Sequence, residues 1–204
     1  MYRSFFIKSA LLVSVALLMM TGCSATTRDI SPGEAGHYDE NYDVTDKMAI
    51  VSDLVESLVN KPPLVARYDR PIIIVYGVAN RTSEHIETDG ITDDIRREIM
   101  QSGKARFVNK VQRENIQDET SYQYGGNVSA ETRLTRARQV GAEYMISGTL
   151  RNIKKREGKG FRMKRDTLQY YSLTLELTDL ETGLIEWTDS AEIARESSKP
   201  FIGW

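Results

Sequence analysis

The chain has 204 residues, 40% hydrophobic and 27% charged, with 27 lysines and arginines against 29 aspartates and glutamates for a net charge of −2. That balance argues against a nucleic-acid partner, because such binders carry a basic excess or a basic face. A single cysteine excludes a disulfide framework and a cysteine-rich metal site, and the length suits one domain with a sizeable core.

The first 22 residues have the layout of a secretory signal peptide: basic Arg3 and Lys8, then an apolar run from Ala10 to Met20. That run is too short to span a bilayer, which takes ~20 apolar residues. Met20-Thr21-Gly22-Cys23 resembles the bacterial lipobox, in which the cysteine is lipidated and becomes the first residue after cleavage. A multiply acylated terminus is a stable anchor, since each buried methylene adds ~0.8 kcal/mol. Ser24 follows where an aspartate would stand in retained lipoproteins, and in the proteins it resembles this favours passage to the outer membrane. Cleavage before Cys23 removes Arg3 and Lys8 and no acid, taking the net charge from −2 to −4. With the thiol consumed by lipid, no cysteine nucleophile or cysteine-ligated metal remains.

Residues 23–43 read as the lipidated cysteine and a flexible tether, polar and acidic with Pro32, Gly33 and Gly36. At ~3.3 Å per residue it reaches ~65 Å fully extended and nearer 25 Å on average. Residues 44–204 read as one globular domain. Thr45 is the expected N-cap of a helix whose stripe is Ile50, Val51, Leu54, Val55, Leu58 and Val59, ended by Pro62-Pro63. Ile72 to Val78 is a buried strand that breaks at Ala79-Asn80-Arg81-Thr82. Ile91, Ile95 and Ile99 mark a second helix closed by Gly103, before a strand over Ala105–Val108. Strand, helix, strand implies a parallel pair with a right-handed crossover.

Asn109 and Gln112 resemble a capping box before a poorly amphipathic helix, and Thr120 to Asn127 reads as a loop. Ser129 is the expected cap of a helix that turns Leu134, Ala137 and Val140 inward and ends at Gly141. The last third is strand: Tyr144–Arg151, Leu168–Leu177 and Leu184 to about Ala194, with a hairpin turn over Asp179–Gly183. Leu173, Leu175 and Leu177 alternate with polar residues, as in a sheet with one covered face and one wetter face. The expected fold class is α/β of α+β-like character, a small mixed sheet flanked by helices.

No catalytic constellation stands out. His37 lies in the tether and His85 in a polar loop, neither with a positioned partner of the kind acid–base catalysis needs. Asp93 and Asp94 occupy successive helix positions near an N-terminus, where acids complement the dipole. Gly158-Lys159-Gly160 lacks P-loop spacing and context. The reading is therefore of a non-enzyme with no cofactor and no metal site. Two segments have the character of recognition surfaces. Between the third and fourth strands, Arg151, Lys154, Lys155, Arg156, Lys159, Arg162, Lys164 and Arg165 stand against Glu157 alone. Such a tip either guards a sheet edge or steers an acidic partner. The ending Lys199 to Trp204 is aromatic, which suits either a core edge or an interface anchor.

Four segments together resemble the LpoB family, outer-membrane lipoprotein activators of bifunctional penicillin-binding proteins. They are Gly77 to Thr82, Gly103 to Val108, Ala137 to Tyr144 and Leu173 to Trp187. The resemblance implies a mixed sheet covered by helices, akin to the TolB amino-terminal domain. It also implies a non-enzymatic role: binding a periplasmic accessory domain of a peptidoglycan synthase from the outer membrane and stimulating cell-wall synthesis. By position it assigns docking to Ser147, Thr149 and Arg151, to which the basic hairpin adds Lys154, Lys155 and Arg156. The chain departs from better-known members in its short, proline-poor tether and its longer basic hairpin. The alternative is an envelope assembly lipoprotein of CsgG type, but residues 151–165 are too charged for the lipid face of a barrel strand.

Overall fold

The computed structural model describes residues 30–31, 37, 39–133, 139–156 and 164–200, with the side chains of 164, 165, 199 and 200 left undescribed. The signal peptide, Cys23 and the terminal aromatics lie outside these residues, as do Lys159 and Arg162. Two compact units are distinguished, residues 1–34 and residues 35–204, and the described elements all belong to the second.

Helix α1 (Val44–Asn60) begins at Asp43, not at Thr45. The Asp43 carboxylate accepts the amides of Thr45 and Asp46 at 2.9 and 3.1 Å, while Asp46 accepts the Asp43 amide at 3.1 Å. A carboxylate can serve two amides at once, and the Thr45 hydroxyl donates to it at 2.6 Å instead of capping for itself. Ile50, Val51, Leu54, Val55 and Leu58 are buried along one stripe, as their spacing requires.

Strand β1 (Ile72–Arg81) runs three residues beyond the expected break, because a neighbouring strand satisfies its backbone as far as Arg81. A bulge between Val75 and Gly77 shifts the register, and Gly77 takes φ +107°, a left-handed value that suits glycine. Helix α2 (Asp89–Gln101) buries Ile91, Ile95 and Ile99 completely. Gly103 closes it at φ +71°. Strand β2 (Arg106–Phe107) then pairs parallel to β1, as the strand–helix–strand order requires.

Helix α3 (Arg113–Tyr122) buries no residue and runs into a π-helical turn at Gln123–Asn127, where the sequence reads as a loop. Side-chain bonds accompany the helical backbone through this stretch. Thr120 and Ser121 donate back to the carbonyls of Ile116 and Gln117 at 2.7 and 2.9 Å, and Gln123 donates to Glu119 at 2.9 Å. At Ser129–Arg133 the backbone only turns, with Thr132 and Arg133 amides on the Ser129 carbonyl. Residues 134–138 of the expected fourth helix lie outside the described residues, and Val140 is 63% exposed, not inward.

Strands β3 (Tyr144–Arg156), β4 (Lys164–Asp179) and β5 (Ile185–Pro200) form an antiparallel meander, each longer than its apolar run. The order across the sheet is β2-β1-β3-β4-β5, with β2, β1 and β3 parallel. Helices α1 and α2 pack on one face, against β5 and β1 and against each other. The core is built from their stripes and from Ile73, Ile146, Leu150, Leu173, Leu175, Leu177 and Trp187. The fold is therefore α+β: a five-stranded mixed sheet with helices laid on one side.

Candidate docking face

Alternation along each strand sorts the side chains. On β4 every odd residue from Thr167 to Leu177 is buried on the side that carries the helices, and the even ones point the other way, partly or fully exposed. On β3 the even residues Ile146 and Leu150 are core, so Ser147, Thr149, Arg151, Ile153 and Lys155 share the opposite face. Among the described residues no helix covers that face over β3, β4 and β5. We call it the open face.

Cross-strand register orders it into rows: Ser147–Glu176–Thr188, Thr149–Thr174–Ser190, Arg151–Ser172–Glu192, Ile153–Tyr170–Ala194 and Lys155–Leu168–Glu196. The middle is small and hydroxyl-rich. Ser190 exchanges hydrogen bonds with Ser172 at 3.0 Å and Thr174 at 3.2 Å. Arg81 of β1 lies directly beside Arg151. Two adjacent guanidiniums repel, and no ion pair to Arg81, Arg151 or Lys155 occurs among the described residues. One flank of the open face is therefore cationic. The β5 flank carries Glu192 and Glu196 and is anionic. Hydrogen bonding to Glu192 raises the Tyr170 phenol above its usual range.

Four of the six expected docking residues thus fall together. Ser147 and Thr149 are partly exposed and Arg151 and Lys155 exposed, all on the open face. Lys154 and Arg156 alternate to the other side. Lys154 sits 3.5 Å from Glu40, with its side chain only 25% exposed, so part of the expected basic tip belongs to the ladder and to a structural ion pair. Arg156 is exposed at the strand end. Cys23 lies outside the described residues.

Glu40 belongs to a segment that the sequence assigns to the tether. Residues 39–43 instead lie along the helix-covered side as a strap. Glu40 is 8% exposed and accepts from Ser197 at 3.0 Å. The Tyr42 amide donates to the Tyr171 hydroxyl at 2.8 Å, which donates to Glu84 at 2.7 Å. Arg195 donates to the Asn41 carbonyl, to Asp43 at 2.7 Å and to Asp46 at 2.5 Å. Burial pushes the Asp43 carboxyl up, but hydrogen bonds from Arg195, Thr45 and His37 outweigh it and hold the group well below the usual range. Burial dominates at Asp46 and raises it.

The other polar candidates are structural. Asp93 pairs with Arg96, and Asp94 with Lys47 and Arg97 at 2.7 Å each. Burial pushes Asp94 up, yet those two cations bring it below its usual value. His37 contacts Asp43 at 2.6 Å, and His85 is exposed. Glu192, Glu196 and Arg81 are absent from the sequence reading of the site. A period-two reading of residues 187–196 would have found the acids, since Glu192 and Glu196 share parity opposite Trp187 and Ala191.

Comparison with solved structures finds the C-terminal domain of LpoB from Escherichia coli at 18% identity, covering 74% of this chain and 99% of that one, TM-score 0.46. The corresponding domain from Salmonella enterica matches at 19% identity over 72% and 98%, TM-score 0.45. Lipoprotein GNA1162 from Neisseria meningitidis matches at 18% over 62% and 84%, TM-score 0.38. A comparison with curated proteins finds no match. The model of the family described as peptidoglycan-synthase activator LpoB matches residues 46–193, from the first turn of α1 to well into β5, and the chain therefore belongs to the LpoB family.

Proposed function

We propose that this chain is a non-enzymatic envelope lipoprotein that activates a bifunctional peptidoglycan synthase by docking the open face of its sheet on a periplasmic domain of that enzyme. The observation that carries the reading, beside family membership, is a β3 row of Ser147, Thr149, Arg151 and Lys155 that no helix among the described residues covers, with like charges set side by side. Adjacent cations do not serve stability, whereas they steer an acidic partner. The small side chains of Ser147 and Thr149 let another surface approach the strand closely.

A purified synthase tests this directly. Its polymerisation rate should rise on adding the protein, which alone should neither polymerise nor cleave glycan. Ser147→Arg should abolish the stimulation by bulk and speed dissociation while leaving the thermal midpoint within about 2 °C, since the side chain lies outside the core on the open face. Arg151→Glu with Lys155→Glu should instead slow association about tenfold at low salt and flatten its salt dependence. Undiminished stimulation by Ser147→Arg would remove the open face from the docking reading.

Anchoring is proposed through Cys23, with the outer membrane as destination from Ser24. Wild type should incorporate labelled fatty acid and fractionate with the outer membrane. Cys23→Ala should lose both properties, and identical partitioning of the two would refute the anchor.

A further inference from the structure

The two flanks of the open face are complementary to each other, row by row. Arg151 and Glu192 stand on either side of Ser172, and Lys155 and Glu196 on either side of Leu168. A twofold axis in the plane of contact, along β4, exchanges the β3 and β5 flanks of two facing sheets. It brings Arg151 of one copy over Glu192 of the other and Lys155 over Glu196, each pair made twice. The residues left on the axis carry no charge: Ser172, Leu168 and Tyr170, whose hydroxyl hydrogen-bonds Glu192 of its own chain, flanked by Ile153 and Ala194. Ile153 and Leu168 are 56% and 43% exposed, so apolar area lies at the centre of the charged frame. The one opposed row is Glu176, and the ~30° crossing of aligned sheets carries it away from a contact centred on Tyr170 and Ser172.

We infer that the open face is a self-association surface whose occupant is a second copy of this chain, held by reciprocal Arg151–Glu192 and Lys155–Glu196 pairs. The inference goes beyond the docking reading and does not depend on it. Three strands at ~4.8 Å spacing over the four rows from Thr174 to Leu168 present ~360 Å² per copy, or ~720 Å² in total, below the 1,200–2,000 Å² of stable complexes. The dimer is accordingly weak and salt-sensitive. Because Thr149 and Arg151 lie inside the same area, a copy seated there excludes any other partner from it.

The axis supplies a specific test on the full chain in mild detergent. Residue 172 faces its own counterpart across ~10 Å, so Ser172→Cys should be joined by a short bismaleimide into dimers at low salt. Yield should drop several-fold at 1 M salt, where the Debye length is ~3 Å. The unsubstituted chain, whose single cysteine is Cys23, and Ala79→Cys, on the same face but far from the axis, should give little. In the Ser172→Cys background, Arg151→Glu with Lys155→Glu makes the β3 flank acidic like the β5 flank, and Glu192→Arg with Glu196→Lys makes the β5 flank basic like the β3 flank. Each alone should lose crosslinking. Mixed together, the two should recover it as heterodimers, which also shows that both are folded. Failure of Ser172→Cys to crosslink above the Ala79→Cys level, or failure of the mixed variants to recover, would overturn the inference. Loss of synthase stimulation has no bearing on either result.

Discussion

Arg195→Met should lower the thermal midpoint by roughly 6–12 °C at pH 7, corresponding to about 3 kcal/mol in a domain of this size. The arginine is the only strong counter-ion that reaches both Asp43 and Asp46 among the described residues, and Asp46 is 3% exposed. Removing it leaves a buried carboxylate unpaired, which costs far more than losing a surface pair. Breaking a buried pair costs about 3–5 kcal/mol, and because Asp43 is about one-third exposed the low end, about 3 kcal/mol, applies.

The pH dependence has a definite sign. Asp43, lowered in the fold, contributes stability above the ordinary carboxylate range and loses it only as pH falls through its depressed value, so it changes little between pH 7 and 5. Asp46, raised in the fold, has the opposite sign: its ionisation opposes folding and is relieved by acid. Without Arg195 it rises further. The midpoint deficit of Arg195→Met should therefore shrink as pH is lowered from 7 to 5, and circular dichroism melts at the two pH values measure it. A deficit below 2 °C at pH 7, or one that widens with acid, would mean that the strap does not rest on this cluster.

Gly148→Val is expected to cost at least 2–3 kcal/mol. A Cβ at residue 148 would lie 2.5 Å from Leu175 Cδ2 and 3.2 Å from both the Thr174 carbonyl oxygen and Val78 Cγ2. The leucine is fully buried, and the carbonyl belongs to the β3–β4 ladder and cannot withdraw. Overpacking of this kind costs about 1–3 kcal/mol for a single added group and more for a branched one. Leu175→Ala makes room for one of the three contacts, so Gly148→Ala with Leu175→Ala should be less destabilised than the sum of the single changes by about 1 kcal/mol. Denaturant melts of the four chains measure the coupling, and strict additivity would mean that the site already holds room for a methyl group.

The helical stripes of α1 and α2 and the alternation of β4 are legible because burial repeats at 3.6 or 2 residues along the chain itself. What was not legible depends on long-range pairing. Arg81 and Arg151 meet only because β1 and β3 are parallel neighbours in one register. Ala79–Arg81 reads as a break, since the β-branched run ends and Asn80 and Arg81 are polar, yet the ladder of β3 keeps it extended. Asp39–Asp43 has no apolar period and reads as linker, but its ordering comes from Lys154, Tyr171 and Arg195, each more than 100 residues away. In α3 side-chain bonds of short range stand in for an apolar stripe. The docking residues split by parity, a distinction that the basic composition of residues 151–156 conceals until the strand is seen to continue through them.

The strap also decides how the fold meets a mechanical load. Tension applied ahead of His37 arrives at its contact with Asp43, at Glu40 and at the Asp43 and Asp46 carboxylates on Arg195, which tie the chain to β3 and β5 and to the first turn of α1. Those charged contacts on two strands stand before or within the first turn of α1 along the chain, so they must part before the load reaches the rest of the helix. A tug on the arm is met by ionic contacts that can re-form, ahead of the hydrocarbon core around Leu54 and Ile146.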